Sequence, residues 1–446
     1  MIGLKKTFAA FACLFASNAI AQGPVGGYMG PGIMSRGAGD IGERSGQPVS
    51  VRFFADVTGV YDNGIQPFSV NPNGTLVTVN GLYGVQLDFG AYGQYQGKQS
   101  VVGLDYKGNF YHYPDNQFYD GTTHNLALGY TYQKSRRIAF DLRALAGTTT
   151  LGYGSGSFGV ASIPTDIVNQ PTSLLFDNRT YYGQGTADVN FIASARTSYT
   201  IGGDVFAVRR EASGLAGLNG WNARASVQHR LSRQKTIGLV YQHMFYNFPP
   251  AFGQSDTDMI EAFFSTTLGR RWTFNVHGGG FRTDVQGLSI VQLNPVIAAL
   301  LGQSFGVQAF NRTDMYPSGT ALLMGRFRTT SVQATYARTV IPGNGVYLTS
   351  RQDSASAGIS YTGIKKWNFG LNGGYYRISS IGQAIPTYGQ FTGGAGITYG
   401  LTRSLHIVAR YDVRHQDISL VGLRETGSRA TIGLAFSPGN VPLSLW

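Results

Sequence analysis

The sequence predicts an all-β protein: a transmembrane antiparallel β-barrel of about eighteen strands, with sixteen as the alternative count. Three observations predict it. Period-two alternation of apolar and polar residues recurs from residue 49 almost to the end. Charged residues make up only 13% of the chain while aromatics also reach 13% and Gly numbers 62 of 446; that charge share is about half of an ordinary soluble domain's. The chain also opens on an export signal.

That signal is "MIGLKKTFAAFACLFASNAIAQ". Lys5 and Lys6 form the charged region, Phe8 to Ala16 the apolar core, and Ala19-Ile20-Ala21 the small-residue cleavage site, so residues 1–21 read as a secretory signal peptide. The apolar run falls short of the about 20 residues a membrane helix needs. Cys13 is the chain's one cysteine, and it lies inside this segment without a lipoprotein spacing. The predicted mature chain therefore excludes disulfides, thiolate chemistry and Cys-based zinc sites. Residues 22–47, Gly-rich and pattern-free, read as a flexible periplasmic lead-in, with a lumen plug as the alternative. Residues 48–446 are assigned to the barrel.

The elements follow in order. Strands are expected near 49–61, 81–95, 99–113, 123–133, 137–149, 184–195, 198–209, 220–231 and 235–247. The second half adds 258–268, 271–283, 319–327, 330–341, 353–362, 367–379, 390–400, 404–415 and 427–437. In "KTIGLVYQ", Ile237, Leu239 and Tyr241 fall on one face and Thr236, Gly238, Val240 and Gln242 on the other. In "SLHIVARYDVR", Leu405, Ile407, Ala409, Tyr411 and Val413 alternate with His406, Arg410, Asp412 and Arg414. Apolar faces suit lipid and polar faces suit a wet lumen. A soluble β-sandwich alternates too, but its strands are usually about five or six residues long, and these reach the length of about ten that a tilted membrane strand needs. Trp221, Trp272, Trp367, Tyr130, Tyr132, Tyr361 and Tyr399 lie near strand ends on the apolar faces, as an aromatic girdle would.

Short connections alternate with long ones. The short set ("YQGKQS", "YQKSRR", "ARTS", "LSRQK", "LGRRW", "RFRTT", "GIKKW", "LTRS") carries much of the chain's net charge of +12. Arg or Lys facing lipid at the bilayer midplane costs about 2–4 kcal/mol, so these joints must lie at the membrane edge and mark the periplasmic side. The long set includes 62–80 and 380–389, and two outer loops at 150–183 and 284–318 are the expected constrictions. Within the latter, "NPVIAALLG" reads as a short helix, with Asn294 as cap, Pro295 at its first position and Gly302 closing it.

Motifs for other chemistries carry little. "GSGSFG" (154–159) matches a dinucleotide fingerprint, but no buried strand leads in and no helix follows. "DTDMIE" offers Asp256, Asp258 and Glu261 as an outer-loop Ca²⁺ site, against the reading of a solvated acidic loop. The seven histidines form no metal-ligand spacing. No catalytic residue, cofactor or metal is assigned, and an exported chain has no use for its cations in binding nucleic acid.

Charges at lumen positions are more informative. The candidates are Arg52, Asp56, Asp88, Asp105, Lys107, Asp141, Arg143, Arg224, Arg410, Asp412, Arg414 and Arg429, with Asp188 and Glu261 beside them. Acids concentrate in early strands and arginines in late ones. Set on facing walls they would make a transverse field across a pore; the alternative is ion pairing between adjacent strands. At most a mild anion preference is expected.

"ADVTGVYDNGIQP" (55–67), with its Tyr61-Asp62-Asn63 step, and the ending "SPGNVPLSLW" resemble the outer-membrane barrels of bacterial exopolysaccharide loci and similar uncharacterised porin-like proteins. The resemblance covers the two ends and implies a porin-like barrel that helps a polysaccharide cross the outer membrane. Pro438 and Pro442 depart from the usual terminal strand, which ends on an aromatic. The combined expectation is a non-enzymatic outer-membrane channel for small polar or oligomeric solutes. Polysaccharide export and a closed surface barrel are the alternatives. Its partners would be outer-membrane lipid, the barrel-assembly machinery and the solute or polysaccharide itself.

Overall fold

The structure, a computed structural model, describes residues 49–436 apart from 64–68, 71–75, 78–80, 116–119, 151–178, 212–214, 293, 295–301, 344, 383–384, 403 and 419–422. The expected signal peptide, lead-in, terminal tail, "GSGSFG" stretch and 295–301 helix lie outside the described residues.

Eighteen strands form one closed sheet. The first nine are β1 (Val49–Asn63), β2 (Leu82–Gln96), β3 (Ser100–His112), β4 (Gly121–Gln133), β5 (Ile138–Thr150), β6 (Arg179–Ile192), β7 (Thr197–Arg210), β8 (Leu218–Arg230) and β9 (Lys235–Phe248). The rest are β10 (Gly253–Leu268), β11 (Trp272–Gln292), β12 (Phe305–Arg326), β13 (Thr330–Ile341), β14 (Ser350–Tyr361), β15 (Trp367–Ser380), β16 (Tyr388–Gly400), β17 (Leu405–Ile418) and β18 (Leu423–Phe436). Each pairs antiparallel with its chain neighbour, and β18 returns to β1 in the register Asp62↔Arg429 and Ala55↔Phe436. Closure satisfies every ladder along the sheet, the condition for a β-structure to sit in hydrocarbon. A two-stranded ribbon, Ser69–Val70 with Leu76–Val77, decorates the β1–β2 connection.

The alternation sorts the side chains inside out. On β1, Phe53 and Val57 are 62% and 52% exposed on the outer surface, while Asp56, Thr58 and Asp62 are buried facing the interior. On β9, Ile237, Leu239 and Tyr241 are exposed and Gln242 is buried, as the alternation predicts. Aromatic contacts collect at both margins of this apolar band. Trp367–Tyr399 and Trp272–Phe327 lie at the short-turn end, with centroids 4.7 and 5.5 Å apart. Tyr375–Phe391 and Tyr61–Tyr83 lie at the other end, at 4.7 and 4.9 Å. Eight residues separate Trp367 from Tyr375 on one strand; at about 3.3 Å each and a tilt near 40° they span about 20 Å, of the order of the ~25 Å apolar band of such barrels.

The cationic short turns share a device the sequence did not advertise. Ser135, Ser194, Ser232 and Thr402 each hold a turn through the side-chain oxygen, which accepts from the backbone N–H three residues on. A hydroxyl turn of this kind needs no Asn-Gly pair, which leaves the other turn positions open to Arg and Lys.

One expected loop is largely strand. Residues 284–292 and 305–318 extend β11 and β12 into a hairpin paired from Asp284↔Thr313 to Gln292↔Phe305. β13 joins β12 only from Gly319 onward. Beyond Gln286, the last residue paired with β10, the hairpin stands past the rest of the wall as a two-stranded ribbon.

Candidate functional site

The interior wall is polar on many strands, and its charges meet as neighbours. Arg429 on β18 sits opposite Asp62 on β1 and opposite Asp412 on β17. Its Nε lies 3.3 Å from Asp62 Oδ1, with side-chain exposures of 2% and 0%. The Tyr113 hydroxyl donates to Asp62 at 2.5 Å, and Arg429 donates to Gln86 at 3.2 Å and lies 5.7 Å from the Tyr111 ring. Arg410 pairs with Asp412 at 2.5 Å, and Arg414 is buried beside them. Asp88 accepts from Gln86 and Asn109 and stands in register with Asp56.

Of the two arrangements expected for these charges, the described side chains follow ion pairing between neighbours. First and last strands are far apart in sequence, but closure makes them adjacent, so Asp62 and Arg429 pair at the seam. Asp105 and Lys107 lie 3.9 Å apart on β3. Asp141 accepts from Arg143 at 2.9 and 3.2 Å on β5, with Arg143 half open to the lumen. Arg224 on β8 reaches across β7 to Asp188 on β6 at 2.6 Å and to Asp204 at 3.1 Å. Gly202 makes the reach possible: a Cβ there would come within 1.9 Å of Asp188 Oδ1. Arg52 lies on β1, and its side chain is outside the described residues.

Asp62, Asp204 and Arg210 were missed as site residues. Their parity was readable, since positions 56, 58, 60 and 62 share a face of β1 and 204 and 210 share a face of β7. Ending the first strand at residue 61 hid Asp62.

The acidic stretch 256–261 is strand rather than loop. Asp256 and Asp258 project outward and about half exposed, where His243 Nδ1 lies 2.9 Å from Asp258. Glu261 points inward, 3.7 Å from His277. Alternation thus splits the three carboxylates between opposite faces, and they cannot enclose one ion.

The structure places a crossing segment at 342–343 and 345–349, between β13 and β14, where Pro342-Gly343 marks a turn but nothing in the sequence marks a crossing. Gly345 O accepts from the Ala216 N–H at 3.1 Å, and Arg210 on β7 donates to Ala216 O. Thr349 donates to Ser255 on β10 at 2.6 Å, both fully buried. Tyr347 donates to Pro386 O at 2.7 Å and belongs to one buried cluster with Ile341, Leu82, Tyr111, Tyr113, Ile378 and Tyr388, which carries its side of the lumen to β2 and β3. Burial pushes the Tyr347 phenol above its ordinary value. β3 lies eight strands from β13 round the ring in one direction and β7 six in the other. A segment in contact with both walls must cross the interior.

The crossing needs backbone freedom. Gly343 and Gly345 take φ of +68° and +97°, the left-handed region in which a Cβ is disfavoured. Leu348 continues into a second apolar cluster, which joins Phe206, Met244, Phe248, Phe281 and Val285 from β7–β11 to Val340 and Ile381. The outer part of the lumen is thus narrowed by packed side chains, and the wall toward the short turns stays polar.

A closed antiparallel barrel of even strand number, apolar outside and polar within, with aromatic margins and short turns at one end, defines the class: a transmembrane β-barrel of the outer-membrane type. No protein-family model matches the chain, and no curated protein matches it. Among solved structures the chain is similar to Pseudomonas aeruginosa OccK2 (OpdF) in complex with glucuronate, at 11% identity and a TM-score of 0.44, covering 87% of this chain and 98% of that one. It is similar to a BenF-like porin from Pseudomonas fluorescens Pf-5 at 11% identity and a TM-score of 0.43, covering 87% and 99%. The Pseudomonas aeruginosa outer membrane protein opdK gives 11% and 0.40, again covering 87% and 99%.

Proposed function

We propose that the protein is a non-enzymatic channel through which small polar solutes diffuse across the outer membrane, narrowed by segment 342–349. The observation that carries this reading is a polar, ion-paired inner wall crossed by one short segment tied to opposite sides. Barrels of 16–18 strands leave an aqueous path, and hydroxyls, amides and paired charges keep such a path wet. Because most lumen charges have a partner of opposite sign on the same or a nearby strand, the ion preference is weak and slightly anionic. Outer-membrane lipid and the barrel-assembly machinery are the partners this reading requires.

The crossing segment weighs against polysaccharide export, because a polymer cannot thread a lumen bridged from β3 to β7. Planar-bilayer recording of the full chain tests the proposal, beside a variant in which Gly343–Tyr347 is replaced by two glycines. The expected result is small steady conductance in the first and conductance raised several-fold in the second. Silence from both overturns the channel and favours a closed surface barrel.

A further inference from the structure

The outer surface carries a pocket that a channel function does not use. It lies at the long-connection end of β15–β18, has a volume of about 510 Å³, and is lined by Arg377, Phe391, His415, Asp417 and Arg424 with Tyr375 at its side. All project outward by strand parity, away from the lumen. The floor is Gly389, which stands in register with Arg377 on one side and Asp417 on the other. A Cβ at Gly389 would meet nothing within 4 Å, so the floor is open space between two charged neighbours.

The charges are unbalanced. Arg424 pairs with Asp417 at 3.3 Å, with 78% of the arginine side chain exposed. Arg377 stands in register with Asp353, but that carboxylate is engaged by Arg338 and Arg351. No carboxylate among the described residues pairs with Arg377. His415 meets Thr426 at 2.9 Å and adds a further polar group. Directly below, toward the membrane centre, the tilted rings of Tyr375 and Phe391 meet at the apolar margin, followed by Leu371 and Tyr411 at 57% and 52% exposure. The pocket is therefore cationic at its top and continuous with lipid-facing surface at its base. The same margin over β9–β10 is acidic instead, with Asp256 and Asp258 outward.

We infer that this pocket binds the phosphorylated headgroup of an outer-leaflet lipid, with Arg377 and Arg424 on the phosphate and the acyl chains lying over Leu371 and Tyr411. Guanidinium forks match phosphate oxygens in two-bond geometry. A membrane anion is the occupant because the site opens sideways onto the apolar band, where a free anion has no reason to rest. The inference takes the long-connection end to be the outer leaflet; it does not depend on conduction.

The test is native mass spectrometry of the full chain in neutral detergent, titrated with bisphosphorylated lipid A. The dephosphorylated lipid and inorganic phosphate are titrated in parallel. Wild type is expected to bind lipid A, and R377Q/R424Q to bind it at least about tenfold more weakly. R377K, which keeps the charge but loses the two-bond fork, is expected to bind more weakly than wild type and more tightly than R377Q, and R233Q in a periplasmic turn to match wild type. Folding of each variant is verified by its compact mobility in unheated detergent gels. Equal binding by wild type and R377Q/R424Q overturns the inference. So does equal binding of the dephosphorylated lipid, which would reduce the site to apolar contact, or displacement of lipid A by excess inorganic phosphate, which would make it a small-anion site. If the double variant does not fold, R377Q alone carries the comparison.

Discussion

Single residues in this wall act by what they allow next to them. Gly202 has ordinary backbone geometry, yet it is the aperture through which Arg224 reaches Asp188. Gly202→Ala is expected to cost about 1–3 kcal/mol, the usual cost of overpacking, because the new methyl displaces a carboxylate from its guanidinium. Gly183→Ala on β6, where the nearest atom to a new Cβ is 3.9 Å away, should stay within about 0.5 kcal/mol. Urea unfolding from vesicles measures both, and equal effects would show that the aperture is not what matters. Gly394 plays a similar part, its would-be Cβ lying against Asp412 and Asn372. Neither role is legible in sequence, where both glycines read as ordinary small residues on a polar face.

At the scale of elements, the strand faces were legible and the connections only partly so. β9 is the plainest case: Leu239 is 48% exposed on the outer surface near mid-membrane, and Thr236 projects inward close to a turn. Leu239→Arg is expected to lower folding stability in lipid by about 2–4 kcal/mol, and Thr236→Arg by less than about 1 kcal/mol. Folding yield into vesicles checks this, and equal yields would reverse the facing assignment. The cationic turns also proved to be turns, although the hydroxyl that builds each one was overlooked beside the charges. "PGNGVYLT" reads as a turn, but its importance comes from partners on β2, β3, β7 and β10 that no local pattern names. The extension of β11 and β12 was missed for a related reason: an alternating segment beyond the membrane has the composition of a loop and becomes strand through its partner.

Over the whole molecule, closure is the decisive event. It brings β18 against β1 and sets Arg429 between Asp62 and Asp412. Removing one partner of a fully buried ion pair costs about 3–5 kcal/mol, so Asp62→Asn is expected to destabilise the barrel by that order. Arg143→Gln, whose side chain is 45% exposed, should cost less than about 1 kcal/mol. The unheated compact band on a detergent gel, followed against temperature, ranks the two. A seam no more sensitive than Arg143 would mean that closure relies on backbone pairing alone.

The sequence by itself determined that the chain alternates with period two, which face of each strand meets lipid, which joints lie at the membrane edge, and that the number of strands is near eighteen. Those properties are local: each follows from a few consecutive residues and the cost of placing them in water or hydrocarbon. Only the tertiary structure decided that Asp62 and Arg429 are neighbours, that the connection after β13 bridges the lumen, and that two arginines converge on an outward pocket. These depend on which strands become adjacent when the sheet curls shut, and residues 62 and 429 carry no sign of each other until it does.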